Sequence, residues 1–416
     1  MTNPTELGPV VIVGGGHAGI ELAFELRKLD DVCSITVLGS DPALPYHRPT
    51  LSKQFLMSTA DDPQPLRAAS AYAEKNITLR TATRVAHIDR AAQQVRLETG
   101  EVVAYGCLVL ATGGTPRTLA LPGLPASVPN LGTLRTLADA TALRGQLRAG
   151  ATLAIIGAGY IGLEVAAAAR ALDVEVHVFE QQPRLLSRVA SPALATFLAS
   201  AHARAGVALH TDTVLTSARC RDDGCLAHLD FEHTANGHGN LEVDAMLVGI
   251  GIVPDTGLAQ DCGLAVDDGI VVDDHFRTSD PHIRALGDCA RQHHAFYAQS
   301  MRIESIPNAL EQARALAGVL TGHAPRAHTP PWFWSDQYKL KIQTVGLPHG
   351  SDATVQRGTA EDGSFALFHL REGIVVAVEA VNRAKDFLAG KQLVAARAQP
   401  AAAMLEDPGV DLAKMR

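Results

Sequence analysis

The chain is short of positive charge. Against 44 Asp and Glu stand 36 Lys and Arg, a net charge of −8, which argues against a general nucleic-acid binder and leaves room only for local basic patches. No apolar run is long enough to span a bilayer, and no charged-then-apolar leader precedes Val10, so a soluble, cytoplasmic protein with no membrane partner is expected. Aromatic residues are few, at 5%. A cysteine pair is missing where dithiol chemistry would need one. Cys220 and Cys225 have a Cys-x4-Cys spacing, but they flank Arg221-Asp222-Asp223-Gly224, a hairpin turn far along the chain. Two ordinary thiols beside a turn is the plainer reading, and a sulfur relay loses its most direct support. No metal site is expected.

What is present is ordinary in bulk and specific in detail. A length of 416 residues, 47% of them hydrophobic and 19% charged, suits two or three globular domains. The stretch from Val10 to Glu21 runs four β-branched residues into Gly14-Gly15-Gly16-His17-Ala18-Gly19, with Ile20, Ala23, Phe24 and Arg27 following at helical spacing. This predicts a buried strand, a tight turn and a helix start. Gly14 permits the turn, Gly16 lets a pyrophosphate approach the backbone, and Gly19 lets the helix pack against the strand. The helix N-terminus presents N–H groups and positive dipole density to phosphates. A second strand, Ser34 to Leu38, leads to Gly39-Ser40-Asp41, where Ser40 or Asp41 is placed to meet an adenosine ribose.

The same device recurs. Ala154-Ile155-Ile156-Gly157-Ala158-Gly159-Tyr160-Ile161-Gly162-Leu163-Glu164 repeats strand, turn and helix, and the strand from Val174 to Phe179 ends in Glu180, eighteen residues after Gly162. An acid there accepts from both ribose hydroxyls and repels a 2′-phosphate, which favours NADH over NADPH, although Arg184 lies close by. Two fingerprints about 140 residues apart mean two dinucleotide sites, one for a resident cofactor and one for an exchanging one.

Between and beyond these loops the signals are weaker. The prolines of Leu44 to Lys53 predict an extended path, in which Lys53 by itself reads as a solvated lysine. Pro116, Pro122, Pro125 and Pro129 mark a linker, and short strands are expected over Ile270–Val272 paired with Arg277–Ser279. Ile283 to Asp288 reads as a strand ending in Gly-Asp, and Pro307 suits the first turn of a helix from Ile306 whose dipole favours negative charge at its N-terminus. After Pro325, Pro330 and Pro331 the composition shifts. Strands are expected over Lys341–Val345, Phe365–Leu370 and Val375–Val381, with a helix from about Ala384 to Ala395. For Trp332 and Trp334 core packing suffices for one, and the other is left to face a cofactor.

Taken together, Val11 to Gly19, Arg48 to Lys53, Leu110 to Gly114, Ile155 to Glu164, Thr278 to Ala290, Arg302 to Gln312 and Trp332 to Tyr338 resemble the FAD-dependent NADH:ferredoxin reductases of the putidaredoxin reductase type, related to the reductases of aromatic-ring dioxygenases and to rubredoxin reductases. The resemblance spans nearly the whole chain, and Arg302 to Gln312 and Trp332 to Tyr338 are more specific than the glycine loops. It implies an α/β fold of the glutathione-reductase type: two Rossmann-like domains and a small α+β C-terminal domain. The FAD domain would comprise residues 1–114 and 246–324, the NADH domain 115–245 and the C-terminal domain 325–416.

By matching position for position, the resemblance implies that FAD is held by Gly14, Gly16, Ala18, Gly19, Ser40 or Asp41, Arg48, Lys53, Val85, Arg135, Asp288, Ile306 and Trp334, and NADH by Gly157, Gly159, Tyr160, Ile161, Gly162, Glu164 and Glu180. Ser40 departs from the acid that relatives commonly carry. Lys53 and Glu164 would form the catalytic pair near flavin N5. The implied reaction passes a hydride from NADH to the flavin and then single electrons to an iron–sulfur ferredoxin serving a monooxygenase or dioxygenase, in a monomer or weak dimer. Arg302, Lys339 and Lys341 are candidate docking charges, and solvated or internally paired side chains are the equal alternative. Rival readings are a rubredoxin, quinone, disulfide or oxygen reductase on the same scaffold, or a flavin-based redox sensor.

Overall fold

The computed structural model describes residues 8–59 and 63–415, which fall into two compact units. The first comprises Met1–His47, Gln64–Thr115 and Ile252–Pro331. At its centre Val10–Val13, fully buried, lies between Ile35–Leu38 and Cys107–Leu110 in a five-stranded parallel sheet. Ile77–Arg80 and Ile283–Ala285 form the two edges. Such all-apolar strands are what a parallel sheet covered on both faces requires. The His17–Leu29 helix buries Ile20, Leu22, Ala23, Phe24 and Leu26, and it shares a core with Ala309, Ala313, Leu316 and Ala317 of the Ile306–Leu320 helix. At full burial each large apolar side chain contributes about 1.5–3 kcal/mol. From Val10–Val13 the chain steps outward to Ile35–Leu38 and then Ile77–Arg80, and later returns to Cys107–Leu110 on the other side of the first strand, so ligands are expected at the carboxyl ends of the central strands where the order reverses.

The second unit comprises Arg48–Pro63, Pro116–Gly251 and Trp332–Arg416. It holds another five-stranded parallel sheet, in which Thr152–Ile156 lies between Glu175–Phe179 and Ala245–Val248. An antiparallel sheet of Thr213–Cys220, Leu226–His233 and Gly237–Glu242 carries the hairpin expected around Asp223, closed by Arg221 N–H donating to Cys225 O at 2.8 Å. A third sheet is antiparallel, in the order Trp332–Gln337, Leu340–Gly346, Ile374–Val381, Ser364–Arg371, Ala353–Thr359. The Ala384–Ala395 helix packs on it through Phe387, Leu393 and Val394.

Two local expectations need correction. The Leu44–Lys53 stretch is not extended throughout. Tyr46 bridges to Pro65, and then Arg48–Thr50 turns as a 3-10 helix into the short Gln54–Met57 helix. Pro49 sits at a position of that turn where its fixed φ is compatible with helix. Ile270–Val272 pairs not with Arg277–Ser279 but, in parallel, with Ala290–His294, while Arg277 bridges Arg284. The Trp332–Gln337 segment is itself a strand, which its aromatic content favours. No helix among the described residues is long and apolar enough to cross a membrane.

Candidate dinucleotide sites and a buried ion pair

In the first unit the glycine turn is forced by contact. Gly14 has φ +124°, and a Cβ there would stand 2.1 Å from the carbonyl oxygen of Ala111. A Cβ on Gly19 would stand equally close, 2.1 Å, to the oxygen of Gly14. Gly16 caps the His17–Leu29 helix with no side-chain hydrogen bond, and no acid occupies its first turn. That combination suits a pyrophosphate, because no carboxylate of the helix's own first turn offsets the backbone N–H groups and the helix dipole. Ala18 faces Gly287, whose φ is +78° and whose added Cβ would meet the Ala18 methyl at 3.1 Å. The Gly287-Asp288 turn is thereby held against the first helical turn. Gln312 Oε1 accepts from Gly287 N–H at 2.7 Å, and Arg302 donates to the Asp288 carbonyl at 3.2 Å. Ile306 opens its helix behind Ser305, whose Oγ accepts from Asn308 N–H, and the first turn again lacks an acid.

Other first-unit candidates lie differently. Val85 is buried in the core beside Leu97 at the start of its strand. Ser40 is exposed. The carboxylate of Asp41 accepts from the Tyr46 hydroxyl at 2.8 Å and the Ala43 amide at 3.0 Å. Arg302 is no free docking charge: its side chain is 9% exposed and it pairs with Asp268 and Glu304.

In the second unit the device repeats with the same logic. A Cβ on Gly157, at φ +100°, would lie 2.6 Å from the Gly249 oxygen, and one on Gly162 would lie 2.4 Å from the Gly157 oxygen. Gly159 caps the Tyr160–Arg170 helix with no side-chain hydrogen bond. Glu180 is anchored at the rim: Oε2 accepts from Ala158 N–H at 3.0 Å and Oε1 from Gln182 N–H at 2.9 Å. Arg184, the residue that would favour a 2′-phosphate, spends its guanidinium on the carbonyls of Ser187 and Ala190, both at 2.9 Å. Ile161 is exposed. The ring of Tyr160 packs 4.3 Å from Phe333, and its buried hydroxyl makes no hydrogen bond among the described residues, with burial and the Glu379 and Glu164 charges pushing its pKa up. His210 lies next to Glu180, whose N–H donates to its carbonyl. Burial and the neighbouring His177 push that imidazole down to about 4.

Four candidates of this unit come from outside the loop. Arg48 opens the 3-10 turn, and Arg135 N–H donates to Asp139 Oδ2 at 2.9 Å just ahead of a capped helix. Trp334 is partly buried and packs 5.8 Å from Trp332, which rests on Phe387 and lies 4.3 Å beneath the Lys391 ammonium. Lys53 and Glu164 meet directly, with Nζ 2.7 Å from Oε2 and side chains 12% and 7% exposed. A buried charge pair persists only where its remaining lone pairs are satisfied. Here Ser52 donates to Oε2 at 2.5 Å and Ser335 to Oε1 at 2.6 Å, while Lys53 also donates to the Pro49 carbonyl at 3.2 Å.

Sequence reasoning missed the supporting cast. Behind Ser335 stand Gln337, His202 and Tyr338, linked in turn at 3.1, 2.9 and 2.9 Å. Ser335 and Gln337 alternate on one strand, a spacing that puts both on one face. Nothing marks His202, a lone histidine in an alanine-rich helix. All six cysteines are free thiols.

Residues 8–313 match the pyridine nucleotide-disulphide oxidoreductase family, and residues 332–416 match the reductase C-terminal family. The chain is 42% identical over 407 residues to putidaredoxin reductase CamA of Pseudomonas putida, covering 97% of this chain and 95% of that one. It is 39% identical over 387 residues to rhodocoxin reductase of Rhodococcus erythropolis, covering 93% and 89%. The crystal structure of the covalent putidaredoxin reductase–putidaredoxin complex matches at a TM-score of 0.92 and 41% identity, covering 98% of this chain and 97% of that one. The chain therefore belongs to the pyridine nucleotide-disulphide oxidoreductase family, in the branch that contains putidaredoxin reductase, and is an oxidoreductase working with FAD and NAD(P)H.

Proposed function

We propose that this protein is an NADH:ferredoxin reductase that feeds single electrons to a small iron–sulfur ferredoxin of a monooxygenase or dioxygenase system, in the cytoplasm. The observation that carries the reading is the buried, hydroxyl-satisfied Lys53–Glu164 pair, whose glutamate stands on the helix that the second glycine loop opens. FAD, when bound, would supply the redox chemistry, two-electron acceptance from a nicotinamide and one-electron release to an acceptor.

The chain supplies orientation and charge. Gly14, Gly16, Ala18 and Gly19 hold the FAD pyrophosphate, with Ser40 or Asp41 at the adenosine ribose, Asp288 at the ribitol, and Arg48, Val85, Arg135, Ile306 and Trp334 completing the contacts. Gly157, Gly159, Tyr160, Ile161 and Gly162 hold NADH, and Glu180 takes its ribose hydroxyls. Lys53 brings a positive charge to the flavin and Glu164 fixes its position. The FAD domain is assigned to residues 1–114 and 246–324, the NADH domain to 115–245 and the C-terminal domain to 325–416.

The test is reconstitution. The purified chain is expected to be yellow, or to take up FAD one to one, and to bleach on adding NADH under argon. A colourless protein that refuses FAD sinks the proposal.

A further inference from the structure

The polar groups behind Glu164 form a chain whose direction is fixed by proton counting. Glu164, held by the Lys53 ammonium, is an acceptor only. Ser335 has one proton and gives it to Glu164 Oε1 at 2.6 Å. Ser335 must then accept from Gln337, which turns that amide so that its NH2 faces the serine at 3.1 Å. The Gln337 oxygen is left for His202 Nε2 at 2.9 Å, and this nitrogen must carry the hydrogen. Nδ1 is therefore a lone pair, and it accepts from the Tyr338 hydroxyl at 2.9 Å. His202, Ser335 and Gln337 are at most 1% exposed, so bulk solvent does not compete for these groups. Burial keeps the imidazole below its ordinary pKa, in keeping with a neutral ring. Tyr338 is 41% exposed at the turn between Trp332–Gln337 and Leu340–Gly346, next to the exposed Lys339.

We propose that Ser335, Gln337, His202 and Tyr338 are positioning residues for the Lys53–Glu164 pair, forming a one-way hydrogen-bond chain that ties the ionised state of Glu164 to the tautomer of His202 and to an exposed phenol. The role of the pair at the flavin rests on the flavoenzyme reading above; the chain itself does not. A partner that covers the Tyr338 hydroxyl acts on one end of it, and the charge at Lys53 acts on the other.

The experiment reads the tautomer directly, by long-range 15N–1H correlation on the full-length, FAD-loaded protein with labelled histidines. The His202 resonance is identified among the 17 histidines by its loss in His202→Gln. The wild type is expected to show the Nε2–H tautomer. In Glu164→Gln, Lys53 still only donates and draws the new amide oxygen to itself, so the amide NH2 faces Ser335. Every donor then reverses, and His202 is expected to switch to Nδ1–H. Tyr338→Phe removes the far end without touching the determinant and is expected to stay Nε2–H. An Nδ1–H wild type, or an unchanged tautomer in folded Glu164→Gln, overturns the proposal; if that variant does not fold, the wild type and Tyr338→Phe decide it.

A second readout concerns position. In Ser335→Ala the Glu164 oxygen loses its donor, its negative charge opposes Lys53 more fully, and the midpoint potential of the bound flavin is expected to fall, with Ser335→Thr restoring it. An unmoved potential in Ser335→Ala contradicts the positioning role. The tautomer is measurable whether or not FAD binds, so failure of the flavoenzyme reading and failure of this proposal are separate results.

Discussion

The ammonium of Lys53 stands 2.7 Å from Oε2 of Glu164, with both side chains nearly shut off from solvent. Removing one partner of such a pair leaves an uncompensated buried charge, a more damaging change than replacing both. In Lys53→Met the reduction of bound FAD by NADH is expected to slow by about tenfold or more, equivalent to ~1.4 kcal/mol of barrier. Stopped-flow absorbance measures it, and a rate equal to wild type removes Lys53 from the catalytic assignment.

The second glycine loop offers a separable test. A methyl on Gly162 would press on the Gly157 oxygen at 2.4 Å, a backbone atom that cannot swing aside. Gly162→Ala is expected to raise the KM for NADH by about tenfold, in the manner of lost uniform binding, while the FAD content of the purified protein stays at wild-type level. An unchanged KM would show that the loop does not hold the nicotinamide nucleotide.

Nucleotide choice follows from how two side chains are occupied. Glu180 is fixed at the rim by two backbone amides, and the Arg184 guanidinium is committed to two carbonyls. A preference for NADH over NADPH on the order of 100-fold in kcat/KM is expected, and Glu180→Ala should narrow it. Preference for NADPH in the wild type would contradict this assignment.

Acid sensitivity has a defined source in His210. Its folded pKa, about 4, lies below the ordinary 6.5 because the ring is buried beside His177. The unfolded chain therefore binds more protons between those values, so the stability contribution is whole above pH 6.5 and is lost as pH falls toward 4. Urea unfolding across this range should show stability declining with acid. His210→Phe, which preserves the stacking on Phe179, should lessen the slope by about one proton; an identical slope would place the effect elsewhere.

How much of this was legible depended on the kind of signal. Val10–Val13 and Thr152–Ile156 announced themselves because a covered parallel strand must be apolar throughout, and the glycine turns because only glycine fits against Ala111 and Gly249. The helix from Ile306 followed from Pro307, which suits a first turn. Arg302 looked like a surface charge because sequence does not show that Asp268 and Glu304 will meet it. His202 and Gln337 are 135 positions apart and meet only through tertiary packing, so no local pattern records the pair. Ser52 was hidden beside the more conspicuous Lys53.

The most direct measurement is NADH-driven turnover of the purified FAD-loaded protein with a reducible [2Fe–2S] ferredoxin, run beside a quinone and molecular oxygen at rising salt. The account predicts rapid turnover with the ferredoxin alone, weakening as salt screens Lys339 and Lys341. Turnover with quinone or oxygen equal to or faster than with the ferredoxin would contradict it.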